Sequence, residues 1–481
     1  MSDSNTARYF AGCLAVALEE MLAFRETRAL RQKELLSQYG GALACLSLNI
    51  PGEYKAFPLA LRSFHEEIRS FTFALRADRI VILHEETTEE AAGYTAYISA
   101  AAPAETIKAI GCRIEEQHTL GRLFDIDVFS PSGGKLSRSD TGAAPRPCLV
   151  CGGDGFICAR SRAHGLPELV TAVIRIMETH SREILKGTVS AAALKALMDE
   201  VAVTPKPGLV DRANNGAHRD MDIFTFIDSV SAILPYFREC ALAGFESAWR
   251  EETPRSLFES LRSRGKIAEI LMQDASGGAN THRGAIFSLG ILSAAFGRLY
   301  RYDEHPGTEQ LLELCGAMTE GLVEDFARSA STGPDIGPAP GLTSGIASVP
   351  ASHGETIFAQ LGLRGIRGEV SQGFPTVRIY GLPQLQRALS EGLSINDAGI
   401  TAFLCLLAHT EDTNIVHRSD LPTLHRIQEE AARFLDTKPG PEALREKAAK
   451  LDAEFITRNI SPGGCADLLA VSFFLHWLQS A

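Results

Sequence analysis

The chain has 481 residues, 45% of them hydrophobic, so it is long enough for two or three domains and can bury a large core. Its formal net charge is −12, which argues against sequence-independent binding to nucleic acid, because such binding relies on basic surfaces. No apolar run reaches the roughly 18–20 residues of a membrane span and no basic leader precedes the first apolar stretch, so we expect a cytoplasmic protein that does not bind membranes.

Up to about residue 186, the hydrophobic pattern alternates between the periodicities of helices and strands. Helical spacing predicts helices at 11–38, 64–75, 104–117 and 168–185. Short apolar or alternating runs predict strands at 42–50, 79–84, 94–99 and 123–129. Residues 130–147 are rich in Gly, Ser and Pro and predict a loop. We therefore expect an α+β domain over residues 1–186.

Two aspartates on the last of these strands are candidate metal ligands. Asp125 and Asp127 are two residues apart, so both side chains should point to one face of the strand. Two carboxylates on one face can bind Mg²⁺ for phosphoryl transfer. A solvated strand face produces the same alternation, because aspartate is mostly exposed in any fold.

Three cysteines and a histidine follow within seventeen residues: Cys148, Cys151, Cys158 and His164. A Cys-x-x-Cys pair is a frequent half of a zinc site, and His164 could complete a Cys₃His set. The alternative is a group of reduced thiols that pack as small hydrophobic side chains. The sequence leaves both interpretations open.

From residue 187 to the end, the pattern is helical with almost no alternating strands, which predicts an all-α domain over 187–481. The predicted helices are 194–203, 222–237, 258–272, 284–296, 309–326, 397–409, 424–434, 441–458 and 465–478.

Polar residues concentrate in the loops between these helices. Cationic and amide side chains that could bind an anion are Lys206, Asn280, His282, Arg283, Arg364 and Arg367. Groups that could hold Mg²⁺ or transfer a proton are His218, Asp220, Asp222, Glu369 and Asp412. Each has a simpler interpretation alone, for example Asp222 as a helix N-cap. Together they predict a Mg²⁺–polyphosphate site with carboxylates left for chemistry on a sugar.

In their order and context, these segments resemble the triphosphoribosyl-dephospho-coenzyme A synthase family, over roughly residues 189–481. The resemblance implies an all-α enzyme that joins the ribose C1 of ATP to the 2′-hydroxyl of 3′-dephospho-coenzyme A and releases adenine. With Mg²⁺ held by Asp222 and Asp412, as the patterns at these helix ends suggest, the cationic loops would bind the triphosphate. The carboxylate near C1 and the base remain open among Asp211, Asp220, Asp222, Glu369 and Asp412, with His218 as acid or base.

Residues 121–128 and 146–164 together resemble the citrate lyase holo-acyl-carrier-protein synthase, a phosphoribosyl-dephospho-coenzyme A transferase, over about residues 7–186. The resemblance implies a nucleotidyltransferase-like fold in which Asp125 and Asp127 hold Mg²⁺. It also implies that arginines bind the nucleotide or the leaving diphosphate, with Arg122, Arg146, Arg160 and Arg162 as candidates. The nucleophile would be a serine of the acyl carrier (gamma) subunit of citrate lyase.

One domain would make what the other consumes, so each assignment supports the other. Three alternatives remain: the same two activities serving malonate decarboxylase, a Mg²⁺-dependent ADP-ribose hydrolase or nucleotide sensor, and a zinc-stabilised scaffold of the lyase.

Overall fold

The computed structural model describes residues 7–303, 305–322, 357–358 and 360–480. The chain divides into two compact units, Met1–Glu183 and Ile184–Ala481. The division falls within one helix, Leu166–Ala202, where the hydrophobic pattern predicts two helices. Gly187 does not end this helix, because one glycine costs a helix only about 1 kcal/mol and the buried Leu185 and Val189 continue its apolar face.

The first unit is built on a five-stranded antiparallel sheet with the order β2-β3-β1-β4-β5. Its strands are β1 (Ala42–Leu48), β2 (Ile82–Glu90), β3 (Gly93–Ala100), β4 (Phe124–Phe129) and β5 (Lys135–Leu136). Its helices are α1 (Leu18–Tyr39), α2 (Pro58–Ala77), α3 (Ala104–Gln117) and α4 (Gly155–Ser161). The helix Leu166–Ala202, α5, follows.

One face of the sheet packs against α2 and α3. Ile126 and Val128 on β4 join the core of this unit together with Phe64, Phe71 and Ile107 from the two helices. Because side chains alternate along a strand, Asp125 and Asp127 lie on the opposite, half-buried face of β4. The sheet therefore presents both carboxylates on the side away from the main core.

The second unit is mostly helical. Its helices after α5 are α6 (Ile223–Trp249), α7 (Pro254–Ala275), α8 (Arg283–Tyr300), α9 (Thr308–Met318), α10 (Gly365–Ser371), α11 (Leu382–Ser390), α12 (Ile395–His409), α13 (Thr413–Arg418), α14 (Leu421–Asp436), α15 (Pro441–Thr457) and α16 (Gly463–Gln479). Helices α12 and α16 are buried along nearly their whole length and form the centre of the core. The end of α12 and the beginning of α16 carry the polar segments described below.

The predicted succession of an α+β region and a mostly helical region is confirmed, with local differences. Helix α1 begins at Leu18 instead of residue 11, and β2 runs to Glu90 instead of ending at residue 84. The loop predicted at 130–147 contains β5 and a short 3₁₀ helix, Arg138–Thr141. The helix predicted at 309–326 is α9, and the part beyond residue 322 lies outside the described residues. Within the described ranges, no helix is both long and apolar enough to cross a bilayer.

Candidate active sites

The second unit contains a cavity of about 490 Å³, here called the helix-end cavity. Three segments line it: the region of α10, the end of α12 with the start of α13, and the first turn of α16. Its polar lining side chains are Arg364, Glu369, Gln372, Thr376, His409, Thr410, Glu411, Thr413, Asn414 and Asp467. Three carboxylates and one guanidinium thus face one space at the ends of buried helices.

Asp467 occupies the inner wall of the cavity. It is packed so closely against Gly284 that a Cβ atom at that glycine would lie 1.9 Å from Oδ2 of Asp467, so only glycine fits there. Burial, followed by the neighbouring Glu200 and Asp412, raises the pKa of Asp467 well above its ordinary value, and the backbone N–H of Ala285 partly offsets this. A carboxyl group with a raised pKa is a candidate acid.

Asp412 lies beneath the same cavity and joins two of its segments. Its Oδ1 accepts hydrogen bonds from the backbone N–H groups of Asn414 (2.9 Å) and Ile415 (3.3 Å), so it is the N-cap of α13. Its Oδ2 accepts from the N–H of Cys465 in α16 at 2.9 Å. Burial raises the pKa of Asp412 despite these three bonds.

Glu369 is held by Thr376, whose backbone N–H and hydroxyl donate to it at 3.1 and 2.5 Å. Burial raises the pKa of Glu369, and the nearby Glu411 adds to the rise. The predicted Arg364 lines the same cavity from an exposed position, whereas Arg367 is not among the lining residues. Of the predicted residues, Arg364 and Glu369 therefore line this cavity, and Asp412 lies behind its lining residue Gly464.

Lys206 and His282 form a buried group behind Asp467. Lys206 forms an ion pair with Glu200, and its Nζ also donates to the Glu200 carbonyl oxygen at 2.8 Å. His282 Nδ1 is hydrogen-bonded to the Ser229 hydroxyl at 2.7 Å, and its Nε2 is buried without a hydrogen bond in the described structure. Burial, with Lys206 nearby, lowers the pKa of His282 to about 3, so its ring is neutral.

The remaining predicted residues of this unit do not line the cavity: His218, Asp220, Asp222, Asn280 and Arg283. Asp222 is the N-cap of α6, where it accepts the N–H of Thr225 at 2.9 Å. That N–H lowers the pKa of Asp222. His218 is bonded to the Ser461 hydroxyl at 2.8 Å, which places it beside the loop before α16.

In the first unit, each of the two β4 aspartates faces a cation. Asp127 is paired with Lys135 at 2.8 Å, and Arg146 approaches Asp125 to 3.4 Å. Arg146 also forms an ion pair with the buried Glu115. Both carboxylates are partly exposed, so a ligand can reach them.

A second cavity, of about 760 Å³, adjoins this group and is called the loop cavity. Arg122, Arg146 and Arg162 line it, whereas the exposed Arg160 does not. Arg122 donates to the carbonyl oxygen of Pro147, but its Nε is buried without a hydrogen bond in the described structure. A partly buried guanidinium with an unused Nε donor suits an anionic ligand.

The three cysteines and the histidine of the sequence pattern converge at the edge of the loop cavity. The backbone N–H of Gly153, followed by His164, lowers the pKa of Cys151 to about 6. Cys151 itself raises the pKa of the adjacent Cys158 thiol to about 11.

Three carboxylates were not predicted from the sequence: Glu411, Asp467 and Glu67. Asp467 lies near the beginning of the last helix, and nothing in the sequence pairs it with Gly284. Glu67 lies inside α2, is fully buried, and its carboxylate makes no hydrogen bond in the described structure. Burial, with Asp125 and Glu115 nearby, raises the pKa of Glu67 well above its ordinary value.

Replacement of Glu67 by glutamine should therefore stabilise the protein in a pH-dependent way. In the unfolded chain the Glu67 carboxyl group loses its proton near pH 4.3, whereas in the folded protein it keeps the proton to a higher pH. The stability of the wild-type protein therefore falls as the pH rises from the pKa of the unfolded chain to that of the folded protein. With EDTA present, we expect the variant to gain about 3 °C or more in melting temperature at pH 8 and less at pH 5. Calorimetry at pH 8 and pH 5 measures the difference in melting temperature between the variant and the wild type. A difference at pH 5 that is as large as the difference at pH 8, or larger, would contradict the prediction.

Comparison with known proteins assigns both units. Residues 186–481 match the family described as ATP:dephospho-CoA triphosphoribosyl transferase, and residues 16–180 match apo-citrate lyase phosphoribosyl-dephospho-CoA transferase. The two matches define a bifunctional transferase that makes and attaches the prosthetic group of citrate lyase. The chain belongs to the ATP:dephospho-CoA triphosphoribosyl transferase family, in the form that is fused to the second transferase.

Relatives with the same fused organisation are found over nearly the whole chain. It is 33% identical to Protein CitXG of Haemophilus influenzae, over 95% of this chain and 96% of the relative. It is 32% identical to Protein CitXG of Leuconostoc mesenteroides subsp. cremoris, over 97% and 98%. The 2-(5''-triphosphoribosyl)-3'-dephosphocoenzyme-A synthase of Pectobacterium atrosepticum is 39% identical over 58% of this chain and 86% of its own length.

Proposed function

We propose that residues 187–481 carry the synthase reaction in the helix-end cavity and that residues 1–186 carry the attachment reaction at Asp125 and Asp127. The observation that carries the first assignment is the convergence of Glu369, Glu411 and Asp467 on one cavity. The second assignment is supported by the two half-buried aspartates of β4 beside an arginine-lined cavity.

The synthase reaction breaks the bond between adenine and the ribose C1 of ATP and forms a bond from C1 to the 2′-hydroxyl of dephospho-coenzyme A. Positive charge develops on the ribose, as in glycoside hydrolysis, and a carboxylate near C1 stabilises it. Asp467, whose pKa is raised by burial, is suited to protonate the departing adenine. Glu369 and Glu411 then remain to stabilise C1 and to accept the proton of the attacking hydroxyl, while Arg364 binds phosphate.

The carboxylates of each unit suit Mg²⁺, because this ion prefers oxygen ligands and binds through one or two carboxylates together with substrate phosphates. In the second unit Glu369 and Glu411 offer oxygens to the cavity, whereas Asp467 keeps its proton for the departing adenine. In the first unit Asp125 and Asp127 do so, and the side chain of Lys135, which pairs with Asp127, is 56% exposed. When bound, the ion would neutralise phosphate charge and orient the phosphate chain.

We propose that the first unit is nucleotidyltransferase-like and acts on the acyl carrier subunit of citrate lyase. The serine hydroxyl of that partner would attack the α-phosphorus of the triphosphoribosyl group, and the bond between the α- and β-phosphates would break to release diphosphate. Arg122 and Arg146, which line the loop cavity beside Asp125, would bind the departing diphosphate. This chain then needs no nucleophile of its own.

The full-length protein, ATP, Mg²⁺ and dephospho-coenzyme A should yield free adenine, measured by chromatography. Addition of the apo carrier subunit of citrate lyase should then yield a carrier whose mass has increased by the phosphoribosyl-dephospho-coenzyme A group. EDTA should stop both steps.

Adenine release that does not require dephospho-coenzyme A would instead indicate a hydrolase. Modification of the malonate decarboxylase carrier, but not of the citrate lyase carrier, would assign the other lyase.

A further inference from the structure

The loop that follows β5 brings four metal-binding side chains to one point. The Sγ atoms of Cys148, Cys151 and Cys158 and a ring nitrogen of His164 all lie within 4.8 Å of one another. The Sγ atoms of Cys151 and Cys158 are 3.6 Å apart. Two sulfurs on a tetrahedral zinc ion, each about 2.3 Å from the metal, are separated by about 3.8 Å, so the observed spacing leaves room for the ion between them.

Local backbone hydrogen bonds build this arrangement. The backbone N–H of Cys148 donates a hydrogen bond to the carbonyl oxygen of Gly153 at 2.5 Å. The N–H of Gly152 donates to the carbonyl oxygen of Cys148 at 3.1 Å. These two bonds close a tight turn around the Cys-x-x-Cys pair. Gly152 adopts a positive φ of 72°, which glycine allows without strain. Asp154 then caps α4, which carries Cys158.

Hydrophobic burial does not hold this segment in place. Helix α4 has seven residues and no buried side chain, and its Phe156 is 71% exposed. An isolated helix of this length is unstable in water, so its position requires another source of stability. A metal ion that joins the turn to the helix would supply it.

His164 is oriented as a metal-bound histidine usually is. Its Nδ1 lies 3.3 Å from Oε2 of Glu168, and its Nε2 is buried without a hydrogen bond in the described structure. A carboxylate on one ring nitrogen fixes the ring and leaves the other nitrogen for the metal.

We propose that Cys148, Cys151, Cys158 and His164 bind one Zn²⁺ ion. Three thiolates and an imidazole are soft and intermediate ligands that favour zinc, whereas Mg²⁺ favours the oxygens of Asp125 and Asp127. Binding releases the thiol protons and changes no oxidation state. Cys148 follows Arg146 by two residues, so an ion bound there would fix the loop that places Arg146 beside Asp125 and the Pro147 carbonyl beside Arg122.

Elemental analysis of the full-length protein, purified without metal-affinity steps, tests the site directly. We expect about one zinc per chain, and a thiolate-to-metal charge-transfer band after replacement by Co²⁺. Cys151→Ser should lose most of the zinc, and because Cys151 is exposed the variant should still fold. Cys13→Ser changes a partly exposed thiol outside the cluster and should keep the full zinc content.

Full zinc content in both Cys151→Ser and Cys158→Ser would overturn the site. So would the absence of zinc after the wild-type protein is incubated with Zn²⁺ and desalted under reducing conditions. A disulfide between Cys151 and Cys158 in protein freshly purified under reducing conditions would also overturn it. None of these readouts depends on enzymatic activity, so the site can fail while the proposed function stands.

Discussion

Asp467→Asn should lower the rate of adenine release by at least about 100-fold, because the amide cannot donate the proton that a protonated carboxyl group can. The side chain keeps its size, so the contact with Gly284 and the hydrogen bond from Ala285 should survive. Adenine formation from ATP and dephospho-coenzyme A, measured at saturating substrate, gives the rate.

The same variant should attach pre-made intermediate to the carrier at the wild-type rate, because the first unit is unchanged. Asp436→Asn alters an exposed aspartate at the end of α14 and should leave adenine release unaffected. Wild-type adenine release by Asp467→Asn would place the chemistry elsewhere.

Asp125→Asn should have the opposite selectivity: attachment should fall by at least about 100-fold while adenine release continues. The amide removes a negative charge from the β4 pair and should therefore weaken the proposed binding of Mg²⁺ beside the arginines. Carrier mass spectrometry with supplied intermediate measures the loss. Asp127→Asn should behave in the same way, because both side chains share one face of the strand.

Asp78→Asn provides the matched control, since Asp78 is exposed at the end of α2 and pairs only with the exposed Arg113 among its described ion pairs. It should attach the group normally. Equal loss in Asp78→Asn and Asp125→Asn would indicate a defect of folding and not of the site.

The periodicity of apolar residues predicted most elements, because burial follows a helix or strand with a regular repeat. The bounds of α3 agree with the prediction at both ends, and β4 agrees within one residue. Elements without a repeated apolar face were missed: α4 buries nothing, and β5 has only two residues. The prediction of two separate helices at 168–185 and 194–203 was wrong, because the buried Leu185 and Val189 continue one apolar face along α5.

In the candidate sites, residues with a local sequence signal were predicted, and residues whose surroundings come from distant segments were missed. Asp125, Asp127, Glu369 and Asp412 were singled out because acidic residues at strand faces and helix ends are visible locally. Asp467 was not, because its surroundings come from Gly284 in a helix almost two hundred residues earlier. Asp222 was predicted as a metal ligand, but it is the N-cap of α6 and does not line the cavity. A helix N-cap and a metal ligand have the same local pattern, so the sequence alone does not separate them.

Because the two compact units belong to one polypeptide, the synthase and the transferase are present in a one-to-one ratio. Every molecule that can produce the activated intermediate carries one copy of the machinery that uses it. Within this chain the two units are therefore always present in equal numbers, whatever its level of expression. The balance between accumulation and consumption of the intermediate rests on the turnover numbers of the two centres and on the abundance of the acceptor.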